Sequence, residues 1–383
     1  MTRSVAQAQR SIKAALEAGL QNAWRVRGVW ACTLWPLAKL VWWAHLTLER
    51  WRKPPQLEKS RLGVPLVVVG NVYVGGVGKT PIVVALVEHL QSQGLQIGVI
   101  ARGYGTAVSG EQVLEPGGHA SRFGDEPALI QERTGVPLVV GVDRLRAAQL
   151  LLARFPKTEV IVSDDGLQRL KHFADAVLCV FDERGVGNGW TLPAGPLREP
   201  WPRKLAAHTR EWVIHSQVIA PGPRSPLTNV SEQVAPTLTP GFVAKRRLRD
   251  VARNAKGETL DLRERSSRGL GHPGGSIVAL AGIAKPAQFF AMLCAMGLEL
   301  AATLCASDHA SASELMGLLK TVMRPGEPEP TVLCTQKDAQ KLWTVFPKAW
   351  SVSLEVTLDP LFLEEFDLLL HERLSSPHGH ETH

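Results

Sequence analysis

The most constraining feature of this chain is the segment Val64 to Thr80, VPLVVVGNVYVGGVGKT. Its first half is an apolar, β-branched run typical of a buried strand, and its second half is a glycine-rich turn that precedes a helical pattern over residues 81–93. Without Cβ atoms, such a turn lets backbone N–H groups converge on an anion. The glycines concerned are Gly75, Gly76 and Gly78. Lys79 and Thr80 then have the chemistry to bind terminal phosphates and Mg²⁺, so the segment predicts a nucleotide-binding phosphate loop.

The loop departs from the general pattern G-x-x-x-x-G-K-[ST] at Tyr73, where that pattern has glycine. A related loop of dimerising ATPases carries a trans-acting lysine where this chain has Val74. The absence of that lysine favours a phosphate-transfer enzyme over a partition or metal-delivery ATPase.

Positive charge is concentrated at the N-terminus. Residues 1–53 contain nine Lys and Arg and two Glu, a net charge of +7, and the net charge of all 383 residues is also +7. The rest of the chain is therefore formally neutral, and a nucleic-acid partner is not indicated. Because the charge flanks an apolar stretch, anionic lipid is the expected partner.

That stretch, Val29 to Leu48, is about as long as a membrane span but contains Pro36, Lys39 and His45. Six of the eleven tryptophans lie between Trp24 and Trp51, as in segments at a headgroup boundary. A helix lying in the interface is favoured, a single span is the second interpretation, and a buried core helix is the third. An apolar stripe at helical spacing supports the first: Trp30, Leu34, Leu37, Val41, Ala44 and Leu48.

After the loop, short apolar runs alternate with helical patterns, of which residues 143–155 form the clearest helix. This alternation predicts a parallel sheet covered on both faces, with ligands beyond the carboxyl ends of the strands. The expected strands are Gln96 to Ala101, Val136 to Gly141, Glu159 to Ser163 and Asp175 to Phe181. The five cysteines lie far apart and indicate neither a disulfide framework nor a zinc site.

Acidic residues that could carry chemistry occur at two places. Asp164 and Asp165 end the third strand, where a carboxylate can hold nucleotide-bound Mg²⁺; helix capping is the alternative. Asp125 opens a helix in the sequence Gly-Asp-Glu-Pro, and from its position alone it is as readily a helix cap as a catalytic base.

Eight motifs in one order resemble the tetraacyldisaccharide 4'-kinase (lipid A 4'-kinase) family over about residues 35–345. They are GNVYVGGVGKTP, ARGYG, GDEP, SDDGLQR, LPAGPLREP, VALAGIAKPAQFF, SDHA and CTQKDAQKL. The resemblance implies transfer of the γ-phosphoryl group of ATP to the 4'-hydroxyl of tetraacyldisaccharide 1-phosphate, giving lipid IVA. It also implies a membrane-surface enzyme on the cytoplasmic face of the inner membrane of a Gram-negative bacterium, with no nucleic acid and no obligate protein partner.

The resemblance also assigns roles to single residues. Asp125, His309 and Lys79 match catalytic positions, with His309 orienting the Asp125 carboxylate. The expected metal-associated residues are Thr80, Asp164, Asp165 and Glu199. The expected ATP contacts are Tyr73, Val74, Gly75, Gly76, Val77, Gly78, Lys79, Thr80, Gln168 and Arg198. Ala284 and Lys285 replace a Gly-Asn pair of the family, and Gln336 replaces its common Glu; we expect neither change to touch the chemistry.

The predicted fold class is α/β: a P-loop nucleoside triphosphate hydrolase-like parallel sheet, a second, smaller α/β domain and an N-terminal membrane-associated helix. The expected units are a membrane-associated segment (1–53), a kinase core (54–225), a linker that is extended or a β-hairpin (226–275) and the smaller domain (276–383). A membrane-associated switch ATPase and a soluble small-molecule kinase remain the alternative functions.

Overall fold

The computed structural model describes residues 19, 24, 26–51, 62–103, 110–115, 120–203, 205–219, 239–267, 276–308, 310–324, 326 and 328–375. The strands are β1 Leu66–Gly70, β2 Ile97–Ala101, β3 Gln112–Leu114, β4 Leu138–Val140, β5 Val160–Asp164, β6 Ala176–Phe181, β7 Arg210–Val218, β8 Phe242–Arg253, β9 Thr259–Asp261, β10 Ile277–Ala281, β11 Leu300–Cys305, β12 Thr331–Thr335 and β13 Trp350–Thr357. The helices are α1 Val29–Trp51, α2 Lys79–Ser92, α3 Ala120–Phe123, α4 Asp125–Thr134, α5 Arg144–Arg154, α6 Leu167–Leu170, α7 Leu262–Ser267, α8 Pro286–Ala295, α9 Ala312–Lys320, α10 Gln336–Leu342 and α11 Pro360–Ser375.

All thirteen strands belong to one sheet, in the order β11-β10-β12-β13-β8-β7-β6-β1-β5-β2-β4-β3, with β9 paired to β8. Neighbours from β4 to β8 are parallel, and so are those from β11 to β13. The two parallel halves meet in an antiparallel pair, β8 with β13. The predicted α/β fold with a mostly parallel sheet is confirmed.

The central strands are apolar because helices cover both faces of the sheet. Every residue of β1, β2, β5 and β6 is buried. Helix α2 packs Ile82, Val83 and Leu86 into the core on one side of the phosphate loop strand. Helix α5 is capped by Asp143, whose side chain accepts hydrogen bonds from the amides of Leu145 and Arg146. The strands and helices expected from the alternating pattern are therefore present, within a few residues of the expected ends.

The segment predicted as a linker contains two strands of the sheet. Strand β8 pairs with β7 on one side and with β13 on the other, and it forms an antiparallel hairpin with β9. Ala244, Leu248 and Ala252 are buried along one face of β8, so this part of the segment is not an exposed connection. Residues 268–275 lie outside the described residues, and the division into domains stays a prediction.

Helix α1 lies against the loop between β6 and β7. Ala31 and Ala38 are buried, and the Trp35 ring contacts Trp190 at a centroid distance of 6.3 Å. Just before the helix, Arg27 Nε donates to the Asn188 carbonyl at 3.1 Å. The opposite face carries exposed apolar side chains, so α1 is not a buried core helix. Four of them belong to the predicted stripe: Trp30, Leu37, Val41 and Leu48.

Within the part of the chain that the structure describes, no helix combines the length and the apolarity needed to cross a membrane.

Candidate functional site

The phosphate loop connects β1 to α2. Gly75 has φ 104°, and Gly78, at the N-cap of α2, has φ 76°; both angles lie in the left-handed region that glycine tolerates best. Lys79 begins the helix, and its Nζ donates to Asn71 Oδ1 at 3.1 Å. The positive end of α2 and the Lys79 ammonium therefore point to one place, where an anion can bind.

Two adjacent carboxylates lie beside this loop at the carboxyl end of β5. Thr80 Oγ1 donates to Asp164 Oδ2 at 3.1 Å, and Lys79 Nζ lies 3.8 Å from Asp165 Oδ1. Asp165 has φ 61°, an uncommon angle for a residue with a side chain. The second oxygen of Asp164 is buried without a hydrogen-bond partner in the described part of the chain, and so is Oδ1 of Asp165. Thr80 and the two aspartates thus form one cluster beside the phosphate loop.

Burial and the charges of Glu126 and Asp165 together raise the pKa of the Asp164 carboxyl to about 7, although Lys79 acts in the opposite direction. Without a bound cation, the ionised form of Asp164 is unfavourable in this buried site, because its negative charge is not fully balanced there.

Tyr73 does not offer its side chain to a ligand. It is 1% exposed; its hydroxyl donates to Asp182 Oδ1 at 2.8 Å and accepts from the Asp182 amide at 2.7 Å. Burial raises the pKa of this phenol, as does the charge of Asp182. Tyr73 stands where the general pattern of phosphate loops has glycine, and its buried side chain anchors the loop to the core. The backbone carbonyl of Tyr73 accepts a hydrogen bond from Asn71 Nδ2. Val74 is exposed, and its amide donates to the Pro196 carbonyl.

Asp125 is the first residue of α4 and is buried. Its Oδ2 accepts a hydrogen bond from Lys341 Nζ at 2.7 Å and lies 3.9 Å from Lys337 Nζ. Lys337 also donates to Asp308 Oδ1 at 2.6 Å. His309 lies outside the described residues, but its chain neighbour Asp308 reaches the same lysine as Asp125. Contacts from α10 therefore bring the two predicted catalytic regions towards each other.

The remaining predicted residues surround the loop in different ways. Gln168 Nε2 donates to the Asn71 carbonyl at 3.4 Å, and the Arg198 amide donates to the Val72 carbonyl at 2.7 Å. The Arg198 side chain is exposed. Glu199 is buried, and its carboxylate pairs with Arg203 Nη1 at 3.0 Å and with Lys171 Nζ at 3.9 Å. These cations balance Glu199, so its contacts differ from those expected of a metal-associated acid.

A pocket of about 280 Å³ lies beside the phosphate loop, where the two halves of the sheet meet. One wall is formed by Gly76 to Thr80, and the other by residues that follow β10, β11 and β12, including Lys285, Asp308 and Lys337. The carboxyl ends of both parallel halves thus line one cleft. Ligands of α/β proteins bind at such edges.

The structure places Ala284 and Lys285 beside the phosphate loop. Both line the pocket, and a Cβ on Gly76 would lie 3.5 Å from the Ala284 Cβ. Lys285 Nζ donates to Asp182 Oδ2 at 2.8 Å and pairs with Glu183. The substituted pair therefore contacts the phosphate loop and its supporting acids.

Sequence reasoning missed several charged residues of the cleft. Lys337 and Lys341 lie inside the motif CTQKDAQKL at the spacing of one helical turn, a signal that could have placed both on one face of a helix. Asp182 and Arg184 follow β6 at the ligand-binding edge, where polar residues could also have been expected. Arg246 gave no local signal apart from the alternation of a strand.

Known proteins resemble this chain over most of its length. The family model described as tetraacyldisaccharide-1-P 4'-kinase matches residues 30–372. Tetraacyldisaccharide 4'-kinase of Polaromonas naphthalenivorans (strain CJ2) is 44% identical over 376 residues, covering 95% of this chain and 98% of that protein. The protein of the same name from Delftia acidovorans (strain DSM 14801 / SPH-1) is 39% identical over 359 residues, covering 94% and 95%.

A solved structure shares the fold. The crystal structure of the "apo" form of LpxK from Aquifex aeolicus in complex with ATP superimposes with a TM-score of 0.65 at 23% identity, covering 89% of this chain and 98% of that one. Together with the match of the family model over most of its length, these relatives show that the chain belongs to the tetraacyldisaccharide-1-P 4'-kinase family.

Proposed function

We propose that this protein transfers the γ-phosphoryl group of ATP to the 4'-hydroxyl of tetraacyldisaccharide 1-phosphate, giving lipid IVA. Family membership supports the reaction class. The observation that carries the proposal is the cluster at the carboxyl end of β5, where Thr80 donates to Asp164 and Lys79 lies 3.8 Å from Asp165. A hydroxyl, a cation and two acids next to a glycine-rich helix start form the arrangement that phosphoryl transfer requires.

The donor set at this cluster suits Mg²⁺ bound together with a nucleotide. Mg²⁺ in such sites takes one or two carboxylates and a hydroxyl from the protein, and its other ligands are phosphates and water. Thr80, Asp164 and Asp165 can supply these, and Oδ1 of each aspartate, which has no hydrogen-bond partner among the described residues, is available to a cation. When bound, Mg²⁺ would neutralise charge on the transferring phosphoryl group.

In this proposal Asp125 acts as the base that activates the sugar hydroxyl. In the proposed step the 4'-oxygen forms a bond to the γ-phosphorus, the bond to the β-γ bridging oxygen breaks, and ADP leaves. The proton of the hydroxyl passes to Asp125, which His309 would help to orient. Lys341 and Lys337 hold the Asp125 carboxylate at the cleft.

Closure of the cleft is the second element of the mechanism. Asp125 begins α4, which lies in the chain between β3 and β4 of the first half of the sheet, and Asp308, the chain neighbour of His309, follows β11 of the second half. We expect closure to join Asp125 and His309 and to exclude water that would otherwise hydrolyse ATP. The ion pairs from Asp125 to α10 already connect the two sides.

The exposed face of α1 supports our proposal that the protein acts at a membrane surface, on the cytoplasmic side of the inner membrane. Its exposed tryptophans and aliphatic residues are followed by basic residues, as in helices that lie in a lipid interface. An acylated disaccharide stays in the bilayer, so its kinase needs access to that surface. The helix packs on Trp190, in the same loop whose Pro196 carbonyl accepts from the phosphate loop.

The test is transfer of labelled γ-phosphate from ATP to tetraacyldisaccharide 1-phosphate in detergent micelles. We expect product from the native protein, none above background from Lys79→Ala or Asp125→Ala, and normal rates from Lys348→Ala, whose side chain is 74% exposed. ATP hydrolysis without lipid product would instead favour a switch ATPase. Full activity of His309→Ala would contradict the role given to that residue.

A further inference from the structure

Arg246 is a buried arginine that has no ionic partner among the described residues. Its side chain lines the pocket between the two halves of the sheet, although the residue is only 9% exposed. Its Nε has no hydrogen-bond partner, and no carboxylate lies within ion-pair distance of its guanidinium, among the residues that the structure describes. Such an uncompensated charge is expensive to bury.

The position of Arg246 follows from the register of β8. Alternate residues of this strand are buried, and Arg246 takes its place between Ala244 and Leu248. Its neighbours Lys245 and Arg247 point to the exposed face. A leucine or valine would be more favourable at this buried position, because it carries no charge to desolvate. We therefore look to a bound ligand to account for the arginine.

The guanidinium is directed at the phosphate loop. A Cβ on Gly78 would lie 3.0 Å from Arg246 Nη1 and 3.6 Å from Ser216 Oγ. Ser216 is also buried, and its hydroxyl lacks a hydrogen-bond partner within the described residues. Two unpartnered polar groups from adjacent strands therefore approach the residue that precedes Lys79.

The nearest acids are already paired with other cations. Asp182 and Glu183 act on Arg246 only from a distance. Asp182 is bound by Arg184 and Lys285, and Glu183 by Lys285. Burial lowers the pKa of Arg246, and these acids offset the effect in part. The charge is thus left for an external anion.

Building on the proposed kinase function, we propose that Arg246 is a phosphate-binding residue of the cleft, with Ser216 as a second donor. A phosphate oxygen at Gly78 would receive a charge-assisted hydrogen bond from the guanidinium, in addition to those from the loop. The nucleotide is the favoured source of this phosphate, because Gly78 belongs to the loop itself. The 1-phosphate of the lipid acceptor has the same chemistry and is the other source.

The test measures binding and stability together in the full-length protein. Arg246→Met removes the charge and keeps an apolar side chain of similar reach, and Arg246→Lys keeps the charge but loses the planar donor pair. Arg247→Met is the matched control, since Arg247 is the next residue on the exposed face and pairs with Glu355. For each, we would measure affinity for ATP, ADP and adenosine by calorimetry, the thermal midpoint without ligand, and the KM for the lipid.

Arg246→Met should weaken ATP binding about tenfold or more, leave adenosine binding unchanged and raise the thermal midpoint of the ligand-free protein. Arg246→Lys should lose less ATP affinity than Arg246→Met. Unchanged ATP affinity with a raised KM for the lipid would assign the residue to the lipid phosphate.

The proposal is overturned if ATP, ADP and adenosine affinities and the lipid KM all stay at native values, or if all three nucleotide affinities fall equally with a lowered thermal midpoint. If Arg246→Met does not fold, Arg246→Lys gives the same readouts. Nucleotide affinity is independent of lipid kinase activity, so the failure of one proposal is distinguishable from the failure of the other.

Discussion

Lys285 Nζ lies 2.8 Å from Asp182 Oδ2, and this contact joins the residues after β10 to those after β6. Asp182 is 3% exposed and also receives hydrogen bonds from Arg184 and Tyr73. Its carboxylate therefore links the core below the phosphate loop with the opposite wall of the cleft. The ionic link depends on the ammonium group of Lys285, which also pairs with Glu183.

Lys285→Asn should lower the free energy of unfolding by about 1 kcal/mol, because Asp182 keeps Arg184 but loses one charged donor. Amide hydrogen exchange of residues 276–290 should become faster, since the cleft opens more readily. Chemical denaturation and exchange measured by mass spectrometry check both effects. Lys348→Asn breaks an exposed pair with Glu329 and serves as the control, for which we expect a change within about 0.5 kcal/mol.

The pH dependence of this link has a definite sign. Burial alone would raise the pKa of Asp182, but hydrogen bonds from Arg184 and the charge of Lys285 hold it well below its usual range. The stabilisation is thus present above the unfolded pKa, about 4, and is lost as the pH falls through the lower folded value. The difference in the free energy of unfolding between the native protein and Lys285→Asn should be equal at pH 7 and pH 5. A difference that vanishes at pH 5 would contradict the lowered pKa of Asp182.

Asp164 should show the opposite pH dependence. The pKa of Asp164 in the folded protein, about 7, lies above its value in the unfolded chain. The contribution of Asp164 to folding stability is therefore complete below about pH 4 and is lost as the pH rises through 7. Mg²⁺ with ATP should therefore raise the thermal midpoint more at pH 8 than at pH 5. Asp164→Asn should stabilise the ligand-free protein at pH 8 by about 1 kcal/mol or more and abolish the Mg²⁺ effect. Asp250→Asn, at an exposed pair with Arg263, is the control. An equal Mg²⁺ effect at both pH values would refute the assignment.

Local patterns were sufficient to predict the first half of the sheet. Strands β1, β2, β5 and β6 are short runs of apolar residues, and their burial on both faces leaves a continuous signal in the sequence. The cluster of Thr80 with Asp164 followed from the same logic, because residues after parallel strands meet at one edge.

Long-range pairing could not be predicted in this way. The antiparallel junction of β8 with β13 joins residues about a hundred positions apart, and a basic strand such as KRRLR has the composition of a linker. Arg246 was missed for this reason, because its burial depends on register and not on residue type. The direction of the Tyr73 side chain could not be predicted either, because it depends on the packing around Asp182.

Lys341 should act on the rate of transfer through Asp125. Its Nζ lies 2.7 Å from Asp125 Oδ2 and positions a carboxylate that needs to meet the acceptor hydroxyl. Lys341→Met should lower kcat about tenfold while KM for ATP stays near the native value. Steady-state kinetics with lipid and ATP varied separately check this, and Lys320→Met, at an exposed helix end, is the control. A native kcat would show that Lys341 has no positioning role.

Exposed apolar residues of α1 should determine binding to lipid vesicles. Leu37 and Val41 are each 47% exposed on the stripe that faces away from the Trp190 loop. An aspartate at either position should weaken binding to vesicles with anionic lipid about tenfold, because an apolar side chain no longer enters the interface and a negative charge is repelled. Activity on substrate dispersed in detergent should stay native. Leu368→Asp places the same charge on α11 at a residue that is 73% exposed, and it should leave vesicle sedimentation unchanged. Equal losses in Leu368→Asp and Leu37→Asp would mean that charge alone, and not the face of α1, governs the membrane contact.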